Sequence, residues 1–175
     1  PIPHLDKPAY WERPFRRPST APGMHRFVWD LREPAPQSAS VDLPIAAVAH
    51  DTPRVPRGPL VVPGTYVVQL DADGSVMRRP LRVAMDPRIA ISDAALREQY
   101  SLAVRLCTLM NESYRESASA AASGHSKRAA AFDALNDSAG GLLDTIDGTD
   151  AAPTRQGAAA VAELQARLRA LQGRP

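Results

Sequence analysis

A single cysteine, Cys107, excludes an internal disulfide and any four-cysteine metal centre within this 175-residue chain. Aromatic residues make up only 5% of it, so a core has to be built from Leu, Val, Ile and Ala. There is no run of about 18 apolar residues, so no membrane-spanning helix and no membrane partner are expected. The opening PIPHLDKPAY has neither the basic start nor the apolar centre of a secretion signal. Excess charge of one sign is also lacking: 21 basic against 19 acidic residues give +2, split as 12 against 9 before residue 92 and 9 against 10 after it. Phosphate binding needs basic side chains clustered on one face, and Arg16-Arg17 and Arg78-Arg79 read instead as solvated loop and strand-edge charges, so no nucleic-acid partner is expected. Proline is abundant up to residue 91 and then nearly vanishes: fifteen of seventeen lie in residues 1–91. Because proline removes a backbone donor and blocks helix interiors, the first half is expected to be strands and loops, and the second half is free to be helical.

Residues 59–86, PLVVPGTYVVQLDADGSVMRRPLRVAMD, read as one β-hairpin. Tyr66, Val68 and Leu70 alternate onto one face, as do Leu81, Val83 and Met85 on the returning strand. Pro63-Gly64 suits a type II turn, and Asp71-Ala72-Asp73-Gly74 a short tip in which left-handed Gly74 closes a bulged hairpin. The run MHRFVWDLR at 24–32 also alternates, with Phe27, Trp29 and Leu31 on one side, and predicts a half-buried strand. Residues 33–58 form a long proline-rich excursion, wrapped on the sheet or functional in its own right. Residues 1–23 read as an extended tail whose Tyr10, Trp11 and Phe15 either pack on their own domain or offer a platform for a ligand.

Ser92 is a good N-cap, and Asp93 suits the positive end of the helix that follows. Its stripe is Leu96, Tyr100, Ala103, Cys107, Met110 and Tyr114, flanked by Leu102, Leu106 and Leu109, with Gly124 as the stop. Phe132, Leu135, Ala139, Leu142 or Leu143, and Ile146 carry a second helix, weakened and expected to kink or break at Gly140-Gly141. Thr154 caps a third, with Val161, Leu164, Leu168 and Leu171 as its stripe, ended by Gly173 and Pro175. Three such helices make an antiparallel bundle or a long hairpin with a broken arm. The third stripe is a candidate helical interface.

No catalytic, cofactor or metal residues are identified. Asp71 and Asp73 read as a turn, since SVMRRP follows where a calcium loop needs more oxygen ligands and a closing glutamate. His4, His25, His50 and His125 are isolated, with no H-E-x-x-H helix. Cys107 lies in an apolar helix stripe and reads as a small hydrophobe. Ser123-Gly124-His125-Ser126 lacks the G-x-S-x-G pattern of a nucleophile elbow.

The runs PGMHRFVWDLREPAP, GPLVVPGTYVVQLDADG and PLRVAMDPR, with PAYWERP at 8–14, resemble the C-terminal region of large secreted bacterial glycosyl-hydrolase-like proteins built on a β-propeller of BNR or sortilin type. The resemblance covers about residues 8–91, and the helical part only in outline. Trp29-Asp30 followed by Pro63-Gly64-Thr65-Tyr66 also resembles the immunoglobulin-like (Ig-like) domain of the flagellar hook-capping protein. With the composition and periodicity above, this gives an α+β chain: a tail over 1–23, a region over 24–91 that the resemblance implies is a partial Ig-like antiparallel β-sandwich, and a three-helix region over 92–175. The resemblance to the glycosyl-hydrolase-like proteins implies secretion or a periplasmic location. With proline at position 1, an upstream portion is expected to carry the propeller and the first sandwich strands. No S-x-D-x-G-x-T-W aspartate box occurs, so no catalytic residue carries over. The implied role is non-catalytic and structural, with the propeller as partner and another subunit or a carbohydrate as further partners. The alternatives are a carbohydrate-binding module using Tyr10, Trp11 and Phe15, and an enzyme in its own right.

Overall fold

A computed structural model describes residues 8–13, 19–43 and 48–173. The chain is mixed α+β: a 3-10 turn at Ala9–Trp11, strands β1 (Gly64–Ala72) and β2 (Ser75–Val83), then helices α1 (Asp93–Ala122), α2 (Ser126–Asp147) and α3 (Arg155–Gln172).

β1 and β2 pair antiparallel from Gly64↔Val83 to Ala72↔Ser75, and they form a two-stranded sheet. The loop is therefore only Asp73-Gly74, both at positive φ (48° and 75°), the Asp-Gly turn that matches strand twist without a bulge. Gly74 is left-handed as expected; the bulge is replaced by a second left-handed residue, Asp73. Gly64 is not at positive φ and already pairs in β1, so no type II turn forms at Pro63-Gly64. Met77, not Met85, is the methionine on the sheet's apolar face, opposite Leu70.

A full Ig-like sandwich is not shown, and residues 24–32 form no strand. Leu31 sits at φ 60°, which ends any extended run, and Asp30 accepts the Arg32 N–H at 3.2 Å. The Trp29 indole donates to the Arg32 carbonyl at 2.9 Å, folding the segment on itself. The alternating pattern is overridden by this local turn, and Phe27 is left 68% exposed.

The helices behave largely as patterned. Ser92 Oγ accepts from Ala95 N and Thr154 Oγ1 from Gly157 N, and Gly124 and Gly173 take positive φ where α1 and α3 end. Gln99 on α1 donates to the carbonyl of Ile146 near the far end of α2, so these helices run antiparallel. Arg105 meets Gln165, and Gln172 donates to Glu116, so α3 runs parallel to α1. The shared core contains Leu106, Met110, Phe132, Leu135, Leu143 and Val161. The buried stripe of α1 is Leu102, Ala103, Leu106, Leu109, Met110 and Ser113; Cys107 lies at its border and Tyr114 is 39% exposed. The expected stripe is thus rotated toward its flanking leucines, because two helices rather than one cover α1.

α2 runs unbroken through Gly140-Gly141. A Cβ at Gly140 would meet Met110 Cε at 3.4 Å and Pro56 Cγ at 3.7 Å, so this glycine brings α1 and the proline-rich segment close to α2; at Gly141 the space is open. That segment wraps the helices rather than a sheet. Asn136, fully buried on α2, accepts from Ala39 N at 2.8 Å and donates to the carbonyls of Gln37 (3.1 Å) and Met110 (2.8 Å) and to Ser113 Oγ. Asn111 Oδ1 accepts from Gln37 N at 2.8 Å.

Replacing Asn136 by Ala removes the side-chain bonds that join the wrapped segment to α2 and should lower stability by about 1–3 kcal/mol in urea unfolding, with faster amide exchange at Ala39. Gly141→Ala, in open helical space, should instead raise stability by up to about 1 kcal/mol.

Candidate functional site

Three places gather polar or aromatic side chains. The first is the tail. Glu12 bridges in parallel to Thr52, with Arg13 N donating to Thr52 O at 2.7 Å and Thr52 N to Trp11 O at 3.1 Å. Arg13–Asp51 and Arg54–Glu12 ion pairs flank this bridge. Tyr10 stands edge-on to Trp11 (5.2 Å, 78°) and to His50 (4.5 Å, 66°). The rings therefore share no common plane on which a sugar face could span both. Tyr10 is 55% exposed and Trp11 half-buried. Phe15 lies outside the described residues.

The second is the junction between hairpin and bundle. Arg32, nearly buried, pairs with Asp147 at the end of α2 and donates to Gly58 O at 2.7 Å; Asp147 also accepts from Leu60 N at 3.1 Å. A Cβ on Gly58 would come within 1.9 Å of the Glu33 carbonyl oxygen, so only glycine permits this crossing of two backbone segments. Tyr100 donates to Glu33 at 3.0 Å, and burial, reinforced by that carboxylate, pushes its hydroxyl pKa upward. A cavity of about 120 Å³ lies here, walled by residues including Leu31, Val61, Met85, Leu96, Tyr100 and Asp147. It is too small for most ligands, given the several hundred Å³ usual for such sites.

The third is an open cleft of about 200 Å³ between α2 and the wrapped segment, lined by Ser38, Ser40, Asp42, Asp137 and Asp144 beside the Gly140-Gly141 backbone. Ser40 donates to Asp137 at 2.5 Å. Among the described residues, no three His, Cys, Asp or Glu side chains come together as a metal site.

Cys107 faces the border of the core. Burial, with help from the charges of Asp147 and Glu33, pushes its thiol up to about 11, the opposite of what a nucleophile needs. Asp86 is held below the usual carboxylate range by the Arg88 side chain, an exposed pairing two residues apart. His25 bonds the Ala21 carbonyl at an exposed position and is not among the residues that line either cavity.

Of the candidate interface residues on α3, Val161 (0%), Leu164 (7%) and Leu168 (6%) are buried in the bundle core, and Leu171 packs against it. These side chains are packed within the chain. Exposed apolar side chains occur instead at Phe27, Val28 and Val48 and on the hairpin, where Val67 and Val76 lie on one face. On the other face Tyr66 is anchored, its ring edge-on to Trp29 at 5.7 Å and its hydroxyl donating to Val62 O at 2.6 Å. Beyond it, Val68, Leu70 and Met77 share the same face and are each about half exposed. The alternation in the sequence marked this face; that nothing in the described residues covers its outer half was not visible there. No protein-family model matches the chain, and neither does any curated protein or solved structure compared with it.

At pH 8, native Cys107 should react with iodoacetamide about 100-fold more slowly than an unfolded thiol, as the shift of its pKa from 9.0 to about 11 implies. Between those values the unfolded chain has lost the proton that the folded chain keeps, so stability should fall as pH rises from 9 to 11; Cys107→Ala should remove the thiol's part of that slope in pH-dependent urea unfolding and leave the part that Tyr100 contributes.

Proposed function

We propose that this chain is a non-catalytic, structural accessory region of a secreted, glycosyl-hydrolase-like β-propeller protein. The observation that carries the reading is the hairpin's half-exposed apolar face of Val68, Leu70 and Met77, held at a fixed angle by Tyr66, Trp29 and the Arg32–Asp147 pair. Contiguous apolar surface of this kind marks a place where another body docks. The resemblance of residues 8–91 supplies the body: strands of the parent chain that form the second layer of an Ig-like sandwich, with the propeller beyond them. Phe27 and Val28, exposed at 68% and 72%, add apolar surface to the same half of the chain. The bundle, bonded to that half through Asn136 and Asp147, serves as the rigid base.

The second reading, carbohydrate binding, draws support from the exposed Tyr10 ring, and it is weakened by the edge-on geometry of its neighbours.

The chain should bind an apolar fluorescent dye, and Val68→Thr, Leu70→Thr and Met77→Thr together should remove most of that signal without unfolding the bundle. A wild-type chain that binds no dye contradicts the docking reading. On a glycan array the chain should give no specific retention; retention lost in Trp11→Ala would establish the carbohydrate reading in its place.

A further inference from the structure

The two edges of the hairpin are not equivalent, and the difference says which one can accept another strand. A two-residue loop makes its flanking pair, Ala72 and Ser75, a hydrogen-bonded pair. Alternation then places Leu70↔Met77, Val68↔Arg79 and Tyr66↔Leu81 in that class, and Val67↔Pro80 in the class whose backbone groups point outward. On β2 the outward row is Val76, Arg78, Pro80 and Arg82, which lacks a donor at its middle and carries two arginines. Proline and like charge are the usual means of blocking an edge. On β1 the outward row is Thr65, Val67, Gln69 and Asp71, all exposed, each with an N–H and a C=O. Among the described residues, no backbone hydrogen bond occupies that row.

We infer that a second copy of this chain pairs with the β1 edge, antiparallel about a two-fold axis at Val68, to give a four-stranded sheet in the order β2-β1-β1-β2. β1 is self-complementary about this point. Val68 is the centre of Gly64–Ala72, so the strands overlap along their full length and the outward rows meet as Thr65 with Asp71 and Val67 with Gln69 of the other copy. No like charges face each other. Instead, Asp71 of one copy comes beside Thr65 of the other, and Thr65 is flanked on its own hairpin by Arg82 on the same face. Arg82 has no ion pair among the described residues, and its long side chain can cross the small threonine to that carboxylate. The opposite face joins Tyr66, Val68 and Leu70 of both copies into one apolar strip. A nine-residue strand spans roughly 30 Å, which keeps the two bundles at opposite ends of the sheet. This pairing uses the edge, whereas the docking proposed above uses the face, so either can hold without the other.

Cysteine cross-linking in a Cys107→Ser background reads the register directly. Residues at 68 in the two copies would be a non-hydrogen-bonded pair with Cα atoms about 4.5 Å apart, within disulfide range. Val68→Cys should therefore oxidise rapidly to a covalent dimer. Residues at 67 would be diagonal neighbours roughly 7–8 Å apart, and Val67→Cys should cross-link at least about tenfold more slowly. In sedimentation equilibrium the wild-type chain should associate reversibly to twice 18.8 kDa. Val67→Pro, which removes one outward donor opposite the existing Pro80, should be monomeric while the hairpin's amide protection persists. Asp71→Arg should weaken association at least about tenfold, and adding Arg82→Asp should restore it. A wild-type chain that stays monomeric up to about 0.5 mM, where an interface of this small class would populate, overturns the inference. So does a dimer in which Val67→Cys cross-links as fast as Val68→Cys.

Discussion

The structure depends on one buried amide. Asn136 has no solvent to turn to, and its amide group ties Ala39 N and the Gln37 carbonyl of the wrapped segment to the Met110 carbonyl and Ser113 Oγ of α1. A buried polar side chain is tolerated only when it is fully satisfied. That condition fixes where residues 37–39 must lie to within a hydrogen-bond length. An apolar residue in its place could fill the volume, but it could not choose the register of an otherwise irregular chain.

From that contact the arrangement propagates in both directions. Upstream, Arg32 is drawn to Asp147 and the carbonyl of Gly58, and the missing side chain at Gly58 lets residues 33 and 58 cross. Downstream, Pro56 rests near Gly140, and Leu60 N finds Asp147, so the strand that starts at Gly64 leaves the bundle in a defined direction. The hairpin's orientation is thus set by the last turn of α2 rather than by a second sheet.

Periodicity and capping chemistry made the helices legible in the sequence, since Ser92, Thr154, Gly124 and Gly173 act through local geometry alone. The hairpin was legible for the same reason, except at its entry, where Gly64 pairs in β1 instead of turning, and at its tip, where Asp73 joins Gly74 in the left-handed region. What pattern could not reveal depends on distant partners. The alternation of 24–32 is as good as that of β1, yet Leu31 at positive φ and the pull of Asp147 on Arg32 turn that run into a bend. Gly140 reads locally as a helix breaker; its reason is the approach of Met110 and Pro56, invisible until the helices pack. The α3 stripe was identifiable as apolar, but only packing assigns it to the inside of the bundle. The free surface was harder still, because an exposed and a covered strand face carry the same alternation.

Arg32 and Asp147 are 115 positions apart, and Ala39 and Asn136 are 97 apart. A ribosome releasing the chain from its N-terminus therefore exports the whole proline-rich stretch long before its anchors exist. The hairpin and α1, each closed by neighbours in sequence, can form in that interval; the contacts of residues 32–39 to α2 wait for its last turns. The proline-rich stretch's low content of large apolar residues and its many prolines suit a segment that must stay soluble until its anchors on α2 are made.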